Sequence, residues 1–181
     1  MKTNFLRYYV ALLCVVFILV SGNSFAQKMS KYEKEKTEIK ALIDKYNKTE
    51  DDCDFEEQAE LMSEDRVFCG TAGEGRAVDQ SENMKFQKIH LNIVNQEVPG
   101  IIWHSEARNL LIRIYAEGAM AIASFHWLRA QYLPANTPDN IRARYSNPPS
   151  RLVTLVFEKQ KEGWKIVHTH MSMLYPDTSS H

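Results

Sequence analysis

The sequence predicts an α+β fold in which three helices come first and a meander of about five strands follows. Two observations support this prediction. Before residue 100, apolar residues recur at the three- and four-residue spacing of a helix face, and each candidate helix begins with a capping box. After residue 100, β-branched and aromatic runs alternate with turn signals. The helices are therefore expected to pack on one side of an antiparallel sheet.

The three predicted helices are each defined by a capping residue. The first begins at Ser30, with Glu33 as its capping partner, and ends near Asn47; the second begins at Asp54 and the third near Asp79. Their apolar faces are Ile39, Leu42, Ile43 and Tyr46 in the first helix, Phe55, Ala59 and Met62 in the second, and Phe86, Ile89 and Ile93 in the third.

The predicted strands are separated by glycines, prolines and polar turns. A short strand precedes the glycine-rich segment GTAGEG, and a long polar loop with four prolines interrupts the later meander. The last two strands form a hairpin whose turn is Lys161-Glu162-Gly163. The strands are predicted at residues 66–69, 101–107, 109–115, 119–133, 151–159 and 164–174, and the loop at 134–149.

Residues 1–26 have the pattern of a signal peptide. Lys2 and Arg7 precede an apolar run over 8–20, and Ser24-Phe25-Ala26 is a small-x-small cleavage site. No second hydrophobic segment follows. We therefore expect residues 27–181 to form a single domain, periplasmic or secreted, with no membrane association after cleavage.

Charge and motifs exclude several classes of partner. Without residues 1–26 the chain keeps 20 basic and 23 acidic residues, a net charge of −3, which disfavours nucleic acid and anionic membrane surfaces. The sequence contains no phosphate-binding glycine loop and no nucleophile elbow, and no cofactor is predicted. Cys53 and Cys69 can form a disulfide or remain free thiols, and both alternatives stay open.

The strand at 151–159 is apolar on both faces. Leu152 and Val156 lie on one side, and Val153, Leu155 and Phe157 lie on the other. A strand that is apolar on both faces is covered on both. Because the helices cover one face, a second copy of the chain in a twofold dimer is predicted to cover the other.

Three segments together resemble the SnoaL-like branch of the nuclear transport factor 2-like superfamily. They are YNKTEDDCDFEEQAELMSEDRVF, then GTAGEG, and finally RLVTLVFEKQKEGWKIVHTHMSM, which contains a W-x-I-V-H-x-H-x-S strand. The resemblance implies a cone, in which a curved sheet wraps around the helices and leaves a mostly apolar pocket. It also implies dimerisation through the sheet. It says little about activity, because the superfamily includes cyclases, isomerases, a dehydratase and proteins without known activity.

His168 and His170 are the first candidates for chemistry. Strand alternation predicts that both share a face with Trp164 and Ile166, which would place the imidazoles in the pocket if that face is concave. One of them could then serve as a general base. A metal would need a third ligand such as His126, and no metal site is predicted. The third alternative is a structural role in the pocket wall.

Asp54 and Tyr46 are the candidate partners of such a base. Asp54 belongs to an acidic cluster that spans residues 50–57, for which capping of a helix is an alternative role. Tyr46 ends the apolar face of the first helix, where it can present a hydroxyl to the cavity or belong to the core.

Four further residues are candidates for ligand binding, namely Phe125, Trp127, Arg129 and Trp164. A tryptophan beside a guanidinium suits a planar or anionic ligand, because it combines stacking with charge-assisted hydrogen bonds. The alternative is that Trp127 belongs to the core and Arg129 to the surface.

These observations lead to one main hypothesis and two alternatives. The main hypothesis is an exported, dimeric domain that binds a small, largely apolar molecule in its cone. The first alternative is a cofactor-independent cyclase, isomerase or dehydratase with a histidine base and Asp54 or Tyr46 as its partner. The second is an association module that acts through the sheet face.

Overall fold

A computed structural model describes residues 32–70, 76–145 and 150–174 of the chain. The predicted signal peptide and Ser30 lie outside these residues. The described chain forms one six-stranded sheet with helices on its inner face, so the α+β prediction is confirmed. None of the described helices has the length and apolar character needed to cross a membrane.

The second and third predicted helices begin where their caps predict. The Asp54 carboxylate accepts a hydrogen bond from the Glu57 amide at 3.0 Å, and Asp79 accepts one from the Glu82 amide at 2.8 Å. The first helix continues to residue 51, past its predicted end near Asn47. A short helix also occupies part of the predicted loop at 134–149. The helices are α1 (32–51), α2 (Phe55–Glu60), α3 (Gln80–Glu97) and α4 (Asp139–Tyr145).

The strands follow the predicted meander with one difference in the direction of pairing. They are β1 (Met62–Cys69), β2 (Arg76–Ala77), β3 (Ile102–Tyr115), β4 (Met120–Tyr132), β5 (Arg151–Gln160) and β6 (Gly163–Met173), in the spatial order β2-β1-β6-β5-β4-β3. β1 pairs with β6 in parallel, so the sheet is mixed and the purely antiparallel prediction is wrong. The alternation within a strand carries no information about the direction of a partner that is distant in sequence.

β3 is one continuous strand, although the sequence predicts two strands there, at 101–107 and 109–115. Its pairing with β4 shifts between Arg108 and Leu111, and Asn109 has φ of 54°. Asparagine tolerates this left-handed conformation better than most residues. The strand therefore passes through the irregularity instead of ending there.

The core lies between α1 and the inner face of the sheet. Ile39 and Ile43 of α1 are fully buried, as predicted. They pack with alternate residues of the central strands, whose inward side chains are Ala121, Ala123, Phe125 and Trp127 from β4 and Val153, Leu155 and Phe157 from β5.

α3 turns an unexpected face to the protein. Phe86, Ile89 and Ile93 are 46–50% exposed, whereas Asn83 and Val94 are buried. The packing face is therefore rotated by about one position around the helix. A hydrogen bond accounts for this rotation, because the side-chain amide of Gln87, one turn after Asn83, donates to Gln58 of α2 at 2.7 Å.

Candidate functional site

A cavity of about 360 Å³ opens between α3 and the inner face of the sheet. Its walls combine aromatic and aliphatic side chains with a few charged groups, which is typical of small-molecule sites. α1 contributes Tyr46 and Glu50; α3 contributes Asn83, Phe86, Gln87 and His90; and the sheet contributes Phe68, Trp127, Arg129, Arg151 and Met171.

Glu50 is held in place by groups from three other elements. Its Oε2 accepts hydrogen bonds from Gln58 at 2.8 Å and Gln87 at 3.3 Å, and its Oε1 lies 3.5 Å from Nη2 of Arg129. Tyr46 precedes it by one turn of α1, so both side chains point to the same side. The carboxylate thereby connects α1, α2, α3 and β4 at the cavity wall.

Arg129 lies between two tryptophans at this wall. Its guanidinium carbon is 3.8 Å from the ring centre of Trp103 and 5.3 Å from that of Trp127. Burial lowers the pKa of Arg129, and the charge of Glu50 opposes this effect. Its Nε is buried and has no hydrogen-bond partner among the described residues.

A second, deeper guanidinium lies behind Tyr46. Arg66 is 1% exposed, and its Nε donates to the hydroxyl of Thr169 at 3.3 Å. Its Nη2 is buried without a partner in the described part of the chain. Arg151 adds a third guanidinium, 5.9 Å from the ring centre of Trp127. Glu50 is the one carboxylate among the described lining residues, so positive charge dominates this region.

The comparisons with known proteins agree with this architecture. The family described as "SnoaL-like domain" matches residues 39–176. The chain belongs to the SnoaL-like domain family. The resemblance seen in the sequence is thereby confirmed. No curated protein sequence matches the chain.

Solved structures support the nuclear transport factor 2-like fold of this SnoaL-like domain. An NTF2-like protein with a cystatin-like fold from Novosphingobium aromaticivorans has a TM-score of 0.63 at 16% identity, with 84% of this chain and 90% of that chain covered. ActVI-ORFA from Streptomyces coelicolor gives 0.62 at 14%, with 76% and 96% covered. An NTF2-like superfamily protein from Salmonella enterica serovar Typhimurium gives 0.63 at 18%, with 83% and 98% covered. At these identities the similarity shows the fold alone.

The histidine pair of this SnoaL-like chain does not share the inner face. Ile166 pairs with Phe157 of β5, but the next pair joins His168 to Val156, so Val167 is an extra residue in a β-bulge. Beyond the bulge, the alternation of β6 side chains between the two faces of the sheet is therefore shifted by one residue. Thr169 and Met171 point inward and are buried, while His168 and His170 lie on the outer face. The prediction that both histidines share a face with Trp164 and Ile166 is wrong.

The outer position also affects the electrostatics of the histidine pair. Partial burial lowers the pKa of His168, and the neighbouring His170 and Arg66 lower it further. Because both imidazoles lie on the outer face, the sheet separates them from the cavity. Among the described residues, no group of three or more His, Cys, Asp or Glu side chains is arranged to hold a metal ion.

The other predicted site residues divide between the cavity and its surroundings. Tyr46, Trp127 and Arg129 line the cavity. Asp54 caps α2 and is absent from the cavity wall. Phe125 and Trp164 are buried in the core, where the indole of Trp164 donates to Glu38 at 3.2 Å. Their roles as catalytic or ligand-binding groups remain predictions.

Sequence reasoning did not select several residues that the fold brings to this site. Glu50, Gln58 and Gln87 come from three helices, and Arg66 comes from β1. One signal was available, because Glu50 follows Tyr46 by four residues on the same helix face. Arg66 and the two glutamines carry no comparable spacing signal, since their contacts are distant in sequence.

Cys53 and Cys69 are both free in this structure. Burial raises the pKa of the Cys53 thiol, and the charge of Glu50 acts in the same direction. The thiol is therefore less nucleophilic than an exposed cysteine.

The Tyr46 hydroxyl leads to a prediction at alkaline pH. Burial, and to a smaller extent the charge of Glu50, raises the pKa of Tyr46 from 10.0 to about 12, although Arg66 opposes the shift. The unfolded chain loses this proton near pH 10 and the folded chain only near pH 12. The contribution of the protonated Tyr46 hydroxyl to the free energy of unfolding is therefore complete below pH 10 and is lost as the pH rises to 12. We expect ultraviolet titration to show a tyrosine transition near pH 12 that is missing in Tyr46→Phe. If all tyrosines of the folded protein ionise together near pH 10, the cavity wall is more open than this structure indicates.

Proposed function

We propose that this SnoaL-like protein binds a small, largely apolar molecule in its cone, and that the molecule carries an anionic group. The observation that supports the proposal best is the excess of guanidinium groups at an apolar cavity. Arg129 and Arg151 line the cavity, and Nε of Arg129 is a buried donor without a partner among the described residues. Such donors cost free energy until an acceptor satisfies them, and a carboxylate or sulfonate supplies charged acceptors.

The aromatic wall supports a planar body for the same ligand. Trp127 and Phe68 line the cavity together with Phe86 of α3. Aromatic side chains favour stacked or edge-to-face contact with a flat ring system. The ligand class that fits best is therefore an aromatic or polycyclic anion, with its charged end at Arg129 and Arg151.

The catalytic alternative, proton transfer with His168 or His170 as base, has less support. A general base must reach the substrate proton directly or through one water molecule. Both imidazoles lie across the sheet from the cavity. A catalytic role would have to come from the groups at the wall, where burial raises the pKa of the Tyr46 hydroxyl to about 12 and makes it a poorer proton donor.

We further propose that the protein is exported and that it dimerises through the outer face of the sheet. The support for a dimer is an apolar outer surface on the central strands, where Met120, Ile122 and Leu152 are 37–41% exposed. A second copy would cover these side chains. The support for export is the signal-peptide pattern of residues 1–26. A pure association module would use the same face without needing the cavity.

Native mass spectrometry of the protein purified gently from an exporting host tests these proposals together. We expect a chain cleaved before Gln27, a dimer, and a reproducible extra mass that is lost on denaturation. An uncleaved chain would contradict export, and a monomer at micromolar concentration would contradict the dimer. A dimer that neither carries extra mass nor takes up an added aromatic carboxylate would contradict ligand binding and favour the association module.

A further inference from the structure

A second cleft, separate from the cone cavity, lies between α1 and the edge strand β3. Its volume is about 590 Å³. The spatial order of the sheet ends with β3, so the outer backbone edge of this strand faces the cleft. α1 contributes Lys40, Asp44, Asn47, Lys48 and Asp51, the turn after it contributes Asp52, and β3 contributes residues 103–107.

One hydrogen bond fixes the geometry of the cleft. The backbone amide of Ser105 donates to Oδ2 of Asp51 at 2.8 Å, which ties the end of α1 to the sheet edge. Asn47 precedes Asp51 by one turn, so both side chains lie on the face of α1 that lines the cleft. Asn47, Asp51 and Ser105 thus form one cluster, called the acceptor cluster below.

Every member of the acceptor cluster has an unsatisfied polar atom. Oδ1 of Asn47, Oδ1 of Asp51 and Oγ of Ser105 are buried and have no hydrogen-bond partner within the described residues. Asn47 and Ser105 are only 6% and 7% exposed. Three such atoms in the wall of one cleft are unusual, because buried polar groups are nearly always paired.

The charges of the cleft determine what can satisfy these atoms. Asp44 and Asp52 are already paired with Lys40 and Lys48 on the surface of α1. Among the described residues, the one ion-pair contact of Asp51 is with Nδ1 of His104 at 3.8 Å, and the charges of Lys48 and Arg129 act on it from further away. An anion would meet the charge of Asp51 at close range, so the occupant must bring hydrogen-bond donors.

We propose that the acceptor cluster binds the primary ammonium group of a small organic amine. An ammonium has three N–H donors and one positive charge, which match three acceptor atoms of which one is a carboxylate. A hard divalent cation fits less well, because the buried set offers a single carboxylate. Trp103 and Ala107 also line the cleft, and they provide apolar contact for a short carbon chain.

The proposal can be tested by titrating the exported protein with butylammonium while recording backbone amide resonances. We expect saturable shifts at Ser105 and its neighbours with a Kd of about 1–10 mM, the strength of one charge-assisted site. Trimethylbutylammonium has the same charge and chain but no N–H donors, and butyrate has the opposite charge. Neither should produce these shifts.

Two variants separate binding from a structural role. Ser105→Ala removes an unsatisfied hydroxyl, so the melting temperature should stay the same or rise while the Kd for butylammonium increases about 5- to 10-fold. Ser124→Ala, on the outer face of β4, is the matched control and should leave the Kd unchanged. The proposal is overturned if trimethylbutylammonium binds equally well, if Ser105→Ala leaves the Kd unchanged, or if the shifts lie at the cone cavity instead.

Discussion

Phe125→Ala is expected to lower the free energy of unfolding by about 3–5 kcal/mol, the range for a large aromatic side chain removed from a packed core. Phe125 is 2% exposed and points inward from the centre of β4. Its cross-strand partner is Val153 of β5, which is 1% exposed. The surrounding side chains come from a regular sheet and cannot move far enough to fill the space, so a cavity should remain.

Urea denaturation measures this change, and Phe86→Ala is the matched control. Phe86 is 46% exposed on α3, so the same truncation there should cost less than about 1 kcal/mol. Comparison of the two variants also distinguishes an effect on the core from an effect on the ligand-binding wall, because Phe86 lines the cavity and Phe125 does not. A loss of ligand affinity without a loss of stability in Phe125→Ala would restore the sequence-based prediction that this residue contacts the ligand.

Arg129→Met is expected to weaken binding of an aromatic carboxylate by about 30- to 100-fold, because a charge-assisted hydrogen bond is lost in a mostly apolar site. Methionine retains much of the side-chain length and can still pack against Trp103 and Trp127. Glu50 keeps its hydrogen bonds from Gln58 and Gln87, so the fold should persist. The probe is 2-naphthoate, measured by calorimetry.

Two controls make the Arg129 result specific. Naphthalene-2-methanol has the same ring system without the charge, and its affinity should be similar for the original protein and the variant. Arg108→Met removes a guanidinium from an exposed pair with Glu106 on β3 and should leave naphthoate binding unchanged. Equal naphthoate affinity in Arg129→Met and the original protein would falsify the anionic-ligand proposal while leaving an uncharged ligand open.

Local signals in the sequence predicted much of this fold. Asp54 and Asp79 cap their helices through short-range hydrogen bonds, which depend only on residues three positions away. The apolar stripe of α1 and the closing hairpin likewise follow from period and turn chemistry. Such features are visible in sequence because both partners lie within a few residues of each other.

The histidine pair illustrates where this reasoning fails. Alternation along β6 holds from Trp164 to Ile166, and then one extra residue reverses it. The bulge has no turn residue and no glycine to mark it, since Val167 is a typical strand former. One inserted residue moves every later side chain to the opposite face. The predicted location of both candidate bases was therefore wrong.

For this protein, the sequence by itself determined the class of fold, the starts of α2 and α3, the closing hairpin and the SnoaL-like family. Only the tertiary structure decided which side chains meet at the cavity and which at the cleft. Glu50, Gln87, Arg129 and Arg66 come together from α1, α3, β4 and β1, and Ser105 meets Asp51 across 54 positions of sequence. Contacts of this kind depend on the curvature of the sheet, its register and one bulge, which arise from the packing of the whole chain.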